Sequence, residues 1–355
     1  MPDDSPVRSA PVADRLAAPR VTVLTGASGW LGRALVHRLL ADPSRHRLRL
    51  LAHTIAEGKD LQTLGDVEIV VGDIVKPDTA ARLLHGVGTD VDLIHTVGVI
   101  HPKTTRQFFE VNLGGTRNVA EAALDVGVRR MVHVSSNSPF GTNPQTADTF
   151  RAIEPYNPYL GYGRSKMDGE LAVLDAVDRG LDATIVRPPW FYGPFQPPRQ
   201  TTFFRLVRAG KFPVVGDGQQ RRSMVYIDNL VDGVIGAELC QSATGRGYWV
   251  ADARAYTVNE IVATVGRALR DEGFDVKEPS VKLPAIAGRL AEIGDRLVQA
   301  MGRYQQQLHV LGEMNHTIAC DISVTRAELG YEPRVELYEG MRTSIRWCIE
   351  QGLEL

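Results

Sequence analysis

Residues Val21–Gly32 read VTVLTGASGWLG, and this stretch decides the fold. Its first residues, Val21–Leu24, are apolar or β-branched, which is the pattern of a fully buried parallel strand. Three glycines follow at intervals of three residues, and apolar residues after them recur at helical spacing: Gly26, Gly29 and Gly32, then Leu31, Leu35 and Leu39. The stretch therefore predicts a strand, a glycine turn and a helix.

The glycine turn has the chemistry of a pyrophosphate site. Glycine adopts backbone conformations closed to other residues and lets a phosphate approach bare amide groups. The helix N-terminus adds unpaired N–H groups and partial positive charge. Glycines at this spacing also form ordinary tight turns, but a preceding strand and a following helix are the context that dinucleotide binding requires. We therefore predict a dinucleotide site at Gly26, Ser28, Gly29, Trp30, Leu31 and Gly32.

Length and composition narrow the class of protein. The 355 residues suffice for one large domain or two smaller ones. A formal net charge of −2 gives no basic field for nucleic acid. The three cysteines are far apart and lack metal-ligand spacing, so we expect a reduced, cytoplasmic protein with no metal site. No apolar run approaches the roughly 20 residues that span a bilayer, and residues 1–20 are interpreted as a disordered leader.

Residues 33–135 alternate strand-like and helix-like segments, which predicts a doubly wound α/β domain with a parallel sheet. The predicted elements are strands at Arg47–Ala52, Val67–Val71, Val91–Ile94 and Met131–Val134, and a helix around Phe108–Val126. We assign 21–193 to a dinucleotide-binding domain, to which 223–248 is expected to return. A smaller, discontinuous substrate domain is expected mainly in 194–222, with a helix over Thr202–Ala209, and in 249–355.

The end of the second predicted strand bears on the choice of cofactor. An acidic residue there binds the ribose 2′-hydroxyl of NAD, whereas a basic residue suits the 2′-phosphate of NADP. The sequence LLAHT offers no carboxylate, while His53 and Arg33 suit a phosphate, which favours NADP over NAD unless His53 is simply a surface residue. Asp73 follows the third strand and is placed either to bond the adenine amino group or to serve as a turn residue.

A hydroxyl-bearing strand end and a tyrosine–lysine pair form the chemical constellation. Ser136 is the fourth residue of the segment HVSSN (133–137), and Tyr162 and Lys166 lie four residues apart, on one face of a helix. A phenol has a reference pKa of about 10, and a nearby ammonium lowers it towards the working range. Tyr162 is then able to exchange a proton with a substrate oxygen while hydride moves to or from a nicotinamide, and Ser136 hydrogen-bonds that oxygen.

These motifs resemble those of the extended short-chain dehydrogenases/reductases, within the NAD-dependent epimerase/dehydratase superfamily, from Val21 to about Gly352. The resemblance implies a Rossmann fold and a catalytic set of Ser136, Tyr162 and Lys166, with Ser138 as an alternative serine and Lys166 also positioning the ribose. It implies that Asn112 supports the proton relay to Lys166. The remaining cofactor contacts that it implies are Asp73, Ile74, Thr96 and Pro189.

Two further expectations rest on the resemblance. Helices near Asn112–Val126 and Tyr162–Asp178 commonly pair across a two-fold axis in this family, so we expect a homodimer. The fourth strand commonly ends His-x-Ala-Ala, whereas this chain has His95-Thr96-Val97-Gly98. Local packing against the cofactor is therefore expected to differ.

The second half of the chain bears on the substrate, with contacts expected from Ser136, Ser138, Trp190 and Arg222. Nucleotide-sugar members of the family place an arginine like Arg222 before an SMVYID-like strand to bind a diphosphate, but the second arginine that they carry near Leu329–Pro333 is missing. The C-terminal third instead resembles members similar to 3β-hydroxysteroid dehydrogenase.

An apolar stripe in that C-terminal third has three possible roles. The stripe consists of Ile286, Leu290, Ile293, Leu297 and Met301. It caps a hydrophobic substrate, touches a membrane surface, or packs in the core.

We therefore expect an NAD(P)-dependent oxidoreductase that interconverts a secondary alcohol and a ketone on a fairly apolar, sterol-like small molecule. The alternatives are a nucleotide-sugar 4-epimerase or reductase, and a non-catalytic NAD(P)H-binding sensor. The intact Ser136, Tyr162 and Lys166 set is the feature that speaks against a sensor.

Overall fold

The computed structural model describes residues 15–355. In chain order the strands are β1 (Val21–Thr25), β2 (Leu48–Ala52), β3 (Glu68–Val71), β4 (Val91–His95), β5 (Arg130–Val134), β6 (Ala183–Arg187), β7 (Trp190–Tyr192), β8 (Val214–Val215), β9 (Arg221–Arg222), β10 (Met224–Tyr226), β11 (Gly247–Trp249), β12 (Tyr256–Thr257) and β13 (Lys282–Leu283). The helices are α1 (Trp30–Ala41), α2 (Ile55–Gln62), α3 (Pro77–Leu84), α4 (Thr105–Phe108), α5 (Thr116–Val126), α6 (Leu160–Asp178), α7 (Pro198–Arg208), α8 (Ile227–Leu239), α9 (Val258–Asp271), α10 (Ala285–Ala300), α11 (Gln306–Glu313), α12 (Ser323–Leu329) and α13 (Leu337–Glu350).

Seven parallel strands form the central sheet in the order β11-β6-β5-β4-β1-β2-β3. Strands β1, β2, β4, β5 and β6 are buried at every position, as expected for strands covered on both faces. One apolar cluster includes α1 and α8, and a second includes α3, α5 and α6. The predicted doubly wound α/β fold is confirmed.

Strand β1 pairs with β2 on one side and with β4 on the other. The strand order therefore reverses at the β1/β4 boundary, and ligands of open α/β sheets bind at such a point, outside the carboxyl ends of the strands. The glycine turn follows β1, and the segment Thr96–Gly98 follows β4. The topology thus brings these two segments to one crevice.

The helix predicted around Phe108–Val126 is not continuous. Residues Phe109–Gly115 form a π-helical segment between α4 and α5. Helix α7 begins at Pro198, four residues before the predicted start, because proline at the first helical position is favourable. Within the segment 223–248, β10 pairs with β7 outside the main sheet, and Gly247 and Tyr248 belong to β11, the seventh strand of the main sheet.

The predicted leader lies partly outside the described residues, which exclude 1–14. Residues 15–20 contact the domain: the amide of Leu16 donates to the carbonyl of Leu239 at 2.8 Å, and Arg129 donates to the carbonyl of Ala17 at 2.8 Å. The composition of the leader does not predict these contacts.

The apolar stripe of α10 lies on the protein surface, with all five side chains exposed. The core-packing alternative is therefore wrong for this helix. The helix buries its small and polar residues instead: Gly288, Ala291 and Asp295. Within residues 15–355, no helix has both the length and the apolar character needed to cross a membrane.

Candidate active site

The glycine turn is a tight cradle between β1 and α1. Gly26 has a φ of +75°, and a Cβ there would lie 2.5 Å from Oγ1 of Thr96. A Cβ on Gly32 would collide with the backbone of Gly26. The absence of a side chain at Gly32 therefore lets the start of α1 pack directly against the glycine turn. Thr96 itself donates to the carbonyl of Thr25 at 2.8 Å. Side chains at Gly26 and Gly32 would fill the space that these two glycines leave open.

The start of α1 suits an anionic ligand. Gly29 is its N-cap, no side chain caps the helix, and no acidic residue stands in its first turn. The unpaired N–H groups and the helix dipole there favour a phosphate. The turn and the helix start therefore fit the pyrophosphate of a dinucleotide, as the sequence predicts. The Leu31 side chain is buried in the core, and Trp30 Nε1 donates to the carbonyl of Pro194 at 2.6 Å.

A carboxylate from outside the end of β2 lies beside this cradle. Glu57, in the first turn of α2, accepts hydrogen bonds from the Ser28 hydroxyl at 2.8 Å and from the His53 amide at 3.0 Å. Arg33, which the sequence suggested for a 2′-phosphate, is ion-paired with Asp60 of α2. The end of β2 itself holds no carboxylate, as the sequence reads, and the carboxylate beside the cradle comes from the next helix. A Glu three residues after the N-cap Thr54 was the available signal.

Asp73 and Ile74 follow β3 at the same edge of the sheet. Oδ1 of Asp73 accepts from the amide of Val75 at 3.1 Å, so this carboxylate supports a turn. The Ile74 side chain is buried, and a Cβ on Gly115 would lie 2.8 Å from it. Ile74 thus packs the loop after β3 against the π-helical segment.

The two candidate serines lie next to each other after β5. The Ser136 and Ser138 hydroxyls are 3.2 Å apart, and both residues are buried. Desolvation raises the pKa of Tyr162 to about 12, while the nearby Ser136 hydroxyl lowers it. The structure therefore brings Ser136 and Tyr162 together, with Ser138 in contact with Ser136.

Lys166 is buried one helical turn after Tyr162. Its ammonium donates to the carbonyl of Val134 at 2.9 Å, and burial lowers the pKa of Lys166 to about 8 while Glu170 opposes the change. The charge of Arg199 of α7 lowers the pKa of Tyr162. The sequence could not predict this cation because α7 lies 37 residues after the tyrosine.

Asn112 lies in the π-helical segment and is fully buried. Its side chain accepts from the amide of Val99 at 2.7 Å, donates to the carbonyl of Val99 at 3.0 Å, and donates to Oγ of Ser165 at 3.0 Å. A Cβ on Gly98 would lie 3.7 Å from Oδ1 of Asn112 and 3.8 Å from Nζ of Lys166. Asn112 therefore ties the loop after β4 to α6, beside the lysine.

Close packing fixes the register of α6. A Cβ on Gly163 would lie 2.5 Å from the carbonyl oxygen of Ser138, and one on Gly169 would lie 2.8 Å from that of Asn112. Leu160, the first residue of α6, has a φ of +52°, a sparsely populated conformation that clusters at functional sites. Two glycines thus let α6 approach the serine segment and the π-helical segment closely enough to bring Tyr162 and Lys166 to them.

Aromatic side chains surround the phenol. Phe108 lies 5.7 Å from Tyr162 between ring centroids, and Tyr304 packs edge-on against Phe108 at 5.2 Å. His101 bonds the Tyr304 hydroxyl at 3.0 Å, and burial lowers the pKa of His101 to about 4, with the charge of Arg199 adding to the effect. Sequence reasoning missed these residues because three separate segments supply them.

The remaining predicted contacts come from two segments, the residues directly after β6 and strand β9. Pro189 is buried, and Trp190 is exposed and lies 5.5 Å from the ring of Phe203. Arg222 of β9 is half-buried, and its guanidinium donates to the carbonyl of Glu313. One hydrogen-bond donor of Arg222, the residue predicted to bind a diphosphate, is therefore already bonded within the protein.

The chain is similar to proteins of known family and fold. The chain is 45% identical over 351 residues to the uncharacterized protein y4nL of Sinorhizobium fredii, covering 95% of this chain and 97% of that protein. It is 35% identical over 349 residues to sterol demethylase protein B of Methylococcus capsulatus, covering 94% and 99%. The crystal structure of DesIV, a dTDP-glucose 4,6-dehydratase of Streptomyces venezuelae with NAD bound, has the same fold, with a TM-score of 0.74 at 23% identity, covering 94% of this chain and 99% of that one.

The sequence pattern described as the NAD dependent epimerase/dehydratase family matches residues 22–257, more than half of the chain. The glycine cradle and the crevice at the β1/β4 boundary lie within the matched region. The chain belongs to the NAD-dependent epimerase/dehydratase family and is an enzyme of the extended short-chain dehydrogenase/reductase type.

Proposed function

We propose that this enzyme is an NAD-dependent dehydrogenase that interconverts a secondary alcohol and a ketone on an apolar, sterol-like molecule. The observation that carries the proposal is the meeting of Ser136 and Tyr162 at the carboxyl edge of the sheet, with Lys166 one helical turn away. A proton donor or acceptor and a second hydroxyl are thus available to one substrate oxygen.

Tyr162, Ser136 and Ser138 have distinct roles in the proposed reaction. In the direction of oxidation, the Tyr162 phenolate takes the proton of the substrate hydroxyl as the C–O bond becomes a carbonyl. Ser136 hydrogen-bonds the same oxygen and holds it in place, and Ser138 supports Ser136 through their 3.2 Å contact. A bound nicotinamide dinucleotide would supply the acceptor for the two electrons and the hydrogen that leave the carbinol carbon. In reduction, Tyr162 returns the proton to the carbonyl oxygen.

Two cations, Arg199 and Lys166, act on the proposed catalytic site. The charge of Arg199 favours the phenolate of Tyr162. Lys166 carries its charge below its pKa of about 8 and is held by the carbonyl of Val134. Asn112 fixes the loop beside it. We assign Lys166 to the cofactor ribose and Asn112 to positioning.

NAD fits the cradle better than NADP. The Glu57 carboxylate, bonded to Ser28 and to the His53 amide, offers acceptors for a ribose hydroxyl. The same negative charge repels a 2′-phosphate. Arg33 does not offset the repulsion because Asp60 pairs with it. The choice of NAD therefore replaces the preference for NADP drawn from the end of β2.

An apolar substrate fits the aromatic surroundings of Tyr162, where Phe108 lies against the phenol and Tyr304 packs on Phe108. The similarity to sterol demethylase protein B supports a sterol-like class. Arg222 is the feature that favours the nucleotide-sugar 4-epimerase alternative, but its guanidinium is bonded to Glu313 and the second arginine is missing.

The test is a substrate panel with NAD in which formation of NADH is followed. We expect turnover with a hydroxysterol by the native protein and none by Tyr162→Phe. The epimerase alternative instead requires binding of UDP that weakens in Arg222→Ala. Tight NAD binding without turnover of any sterol or sugar nucleotide would favour the sensor.

We also propose a homodimer through α5 and α6, on the resemblance to the family. Leu171 of α6 is exposed and is available for such a contact. Leu171→Glu should convert a dimer to a monomer in sedimentation velocity. A native protein that sediments as a monomer would contradict the dimer.

A further inference from the structure

Helix α10 presents an apolar face to solvent. Its larger apolar side chains are exposed by 57%, 61%, 55%, 62% and 70%, in the order Ile286, Leu290, Ile293, Leu297 and Met301. Spacings of three and four residues place them on one stripe. The opposite side holds Asp295, which bonds His309 of α11 at 2.8 Å. A helix packed in a core faces its large apolar residues inwards, so α10 is inverted relative to that arrangement.

Exposed arginines lie along one edge of this stripe. Arg289 and Arg296 are exposed along one edge of the stripe, and Arg303 is exposed just beyond the end of the helix. Of the acidic residues of α10, Asp295 is buried, and Glu292 is half-buried and pairs with Arg296 at 2.8 Å. Among the described residues, Arg289 and Arg303 make no salt bridge and keep their charge along this edge. An apolar row edged by arginines is the composition of a helix that lies in the interface of an anionic membrane.

The arginines along the edge of the stripe, rather than its size, favour an anionic bilayer over a second copy of the chain. Five side chains exposed to this degree form a patch of about 500 Å², similar to the largest patches on typical monomers. A stable protein interface buries about 800 Å² on each partner, of which roughly 60% is apolar, so the area of the stripe alone suits either occupant. A bilayer requires no such minimum area, because apolar burial and attraction to anionic lipids act together.

We propose that α10 is a bilayer-docking helix that lies on anionic lipid with its apolar stripe in the acyl boundary. The last turn of α10 is joined to the site: Gln299 accepts from the amide of Gly161 at 3.0 Å, next to Tyr162. Tyr304, four residues after the helix, reaches the tyrosine through Phe108. A docked helix therefore holds the proposed catalytic site close to the membrane, where an apolar substrate is dissolved.

The test measures binding of the full chain to sucrose-loaded vesicles by co-sedimentation. The vesicles contain phosphatidylcholine with phosphatidylglycerol, or phosphatidylcholine alone. The variant is Leu290→Ser/Leu297→Ser, and its matched control is Ile153→Ser, which changes a side chain that is 92% exposed elsewhere on the surface. Circular dichroism verifies that the variants are folded. Tyr162→Phe is included because docking needs no turnover, so failure of the proposed chemistry leaves this result unaffected.

We expect the native protein, Ile153→Ser and Tyr162→Phe to sediment with the anionic vesicles, and less with the neutral ones. Leu290→Ser/Leu297→Ser should lose about tenfold in the bound-to-free ratio. Equal sedimentation of the double variant, or no sedimentation of the native protein, overturns the proposal. A native dimer that the double variant dissociates, with no binding to vesicles, also overturns it and assigns the stripe to a second copy.

Discussion

Glu57 accepts a hydrogen bond from the hydroxyl of Ser28 at 2.8 Å, which places a carboxylate from α2 beside the glycine turn. This contact links the end of β2 to the cradle without an acidic residue in the strand itself. The same carboxylate accepts from the His53 amide at 3.0 Å and is thereby fixed in place. The relationship underlies the proposed choice between NAD and NADP.

Glu57→Gln should shift cofactor use towards NADP. Removing the negative charge removes repulsion of a 2′-phosphate and retains an acceptor oxygen, so the ratio of kcat/KM for NADP to that for NAD should rise about tenfold. Steady-state kinetics with both cofactors measure the ratio. Glu278→Gln, a change of a 91% exposed carboxylate on the surface, is the control and should leave the ratio unchanged. An unchanged ratio in Glu57→Gln would contradict the assignment.

Arg199→Gln should move the pH profile of alcohol oxidation to higher pH. The rate rises with pH as the Tyr162 phenol ionises, and the charge of Arg199 lowers the pKa of that phenol. Loss of the cation raises the pKa, so a higher pH is needed for the same fraction of phenolate. The dependence of kcat/KM on pH measures the shift. Arg199→Lys should restore much of the native profile, and Arg205→Gln on the same helix should not alter it. A profile unmoved by Arg199→Gln would refute this role.

Gly163→Ala should impair both activity and stability. A Cβ there would lie 2.5 Å from the carbonyl oxygen of Ser138, so α6 must move away from the serine segment. We expect kcat to fall by about 100-fold, as for a misplacement of about 1 Å, and the free energy of unfolding to fall by about 1–3 kcal/mol. Gly294→Ala is the control, since its Cβ would meet nothing closer than 3.8 Å. Native kinetics in Gly163→Ala would show that this close approach does not matter.

Glu170→Gln should destabilise the fold. Glu170 is fully buried and pairs with Arg187 at 2.7 Å, while the Tyr156 hydroxyl also donates to it at 2.8 Å. Removing one partner leaves a buried guanidinium uncompensated, so we expect a loss of about 3 kcal/mol. Urea unfolding measures the change. Glu121→Gln, which breaks a surface pair with Arg179, should not shift the unfolding midpoint measurably. A midpoint for Glu170→Gln equal to that of the native protein would disprove the prediction.

The sequence predicts the fold and much of the candidate site because the residues concerned are close in the chain or follow strand ends. The glycine turn, Ser136 after β5, and the pair formed by Tyr162 and Lys166 are of this kind. Their spacing, together with the order of parallel strands, is enough to bring them to one edge of the sheet.

Other features depend on tertiary placement. Glu57 reaches the turn from a neighbouring helix, and Arg199 approaches Tyr162 from a helix 37 residues away. The π-helical segment that holds Asn112 adds a residue to a helix that the apolar spacing alone describes as regular. The sequence leaves the role of the α10 stripe open, because apolar periodicity does not reveal whether a face is buried or exposed. In the structure the stripe is exposed.

The most direct test of the central claim compares the native protein with Tyr162→Phe under matched conditions. NAD affinity is measured by titration, and oxidation of the hydroxysterol that the native protein accepts is measured in single turnovers. We expect Tyr162→Phe to have an NAD affinity within about twofold of the native value and a rate at least about 100-fold lower, because general acid–base catalysis contributes on that scale. Native affinity with a native rate would show that Tyr162 does not carry the proton and would overturn the proposed mechanism.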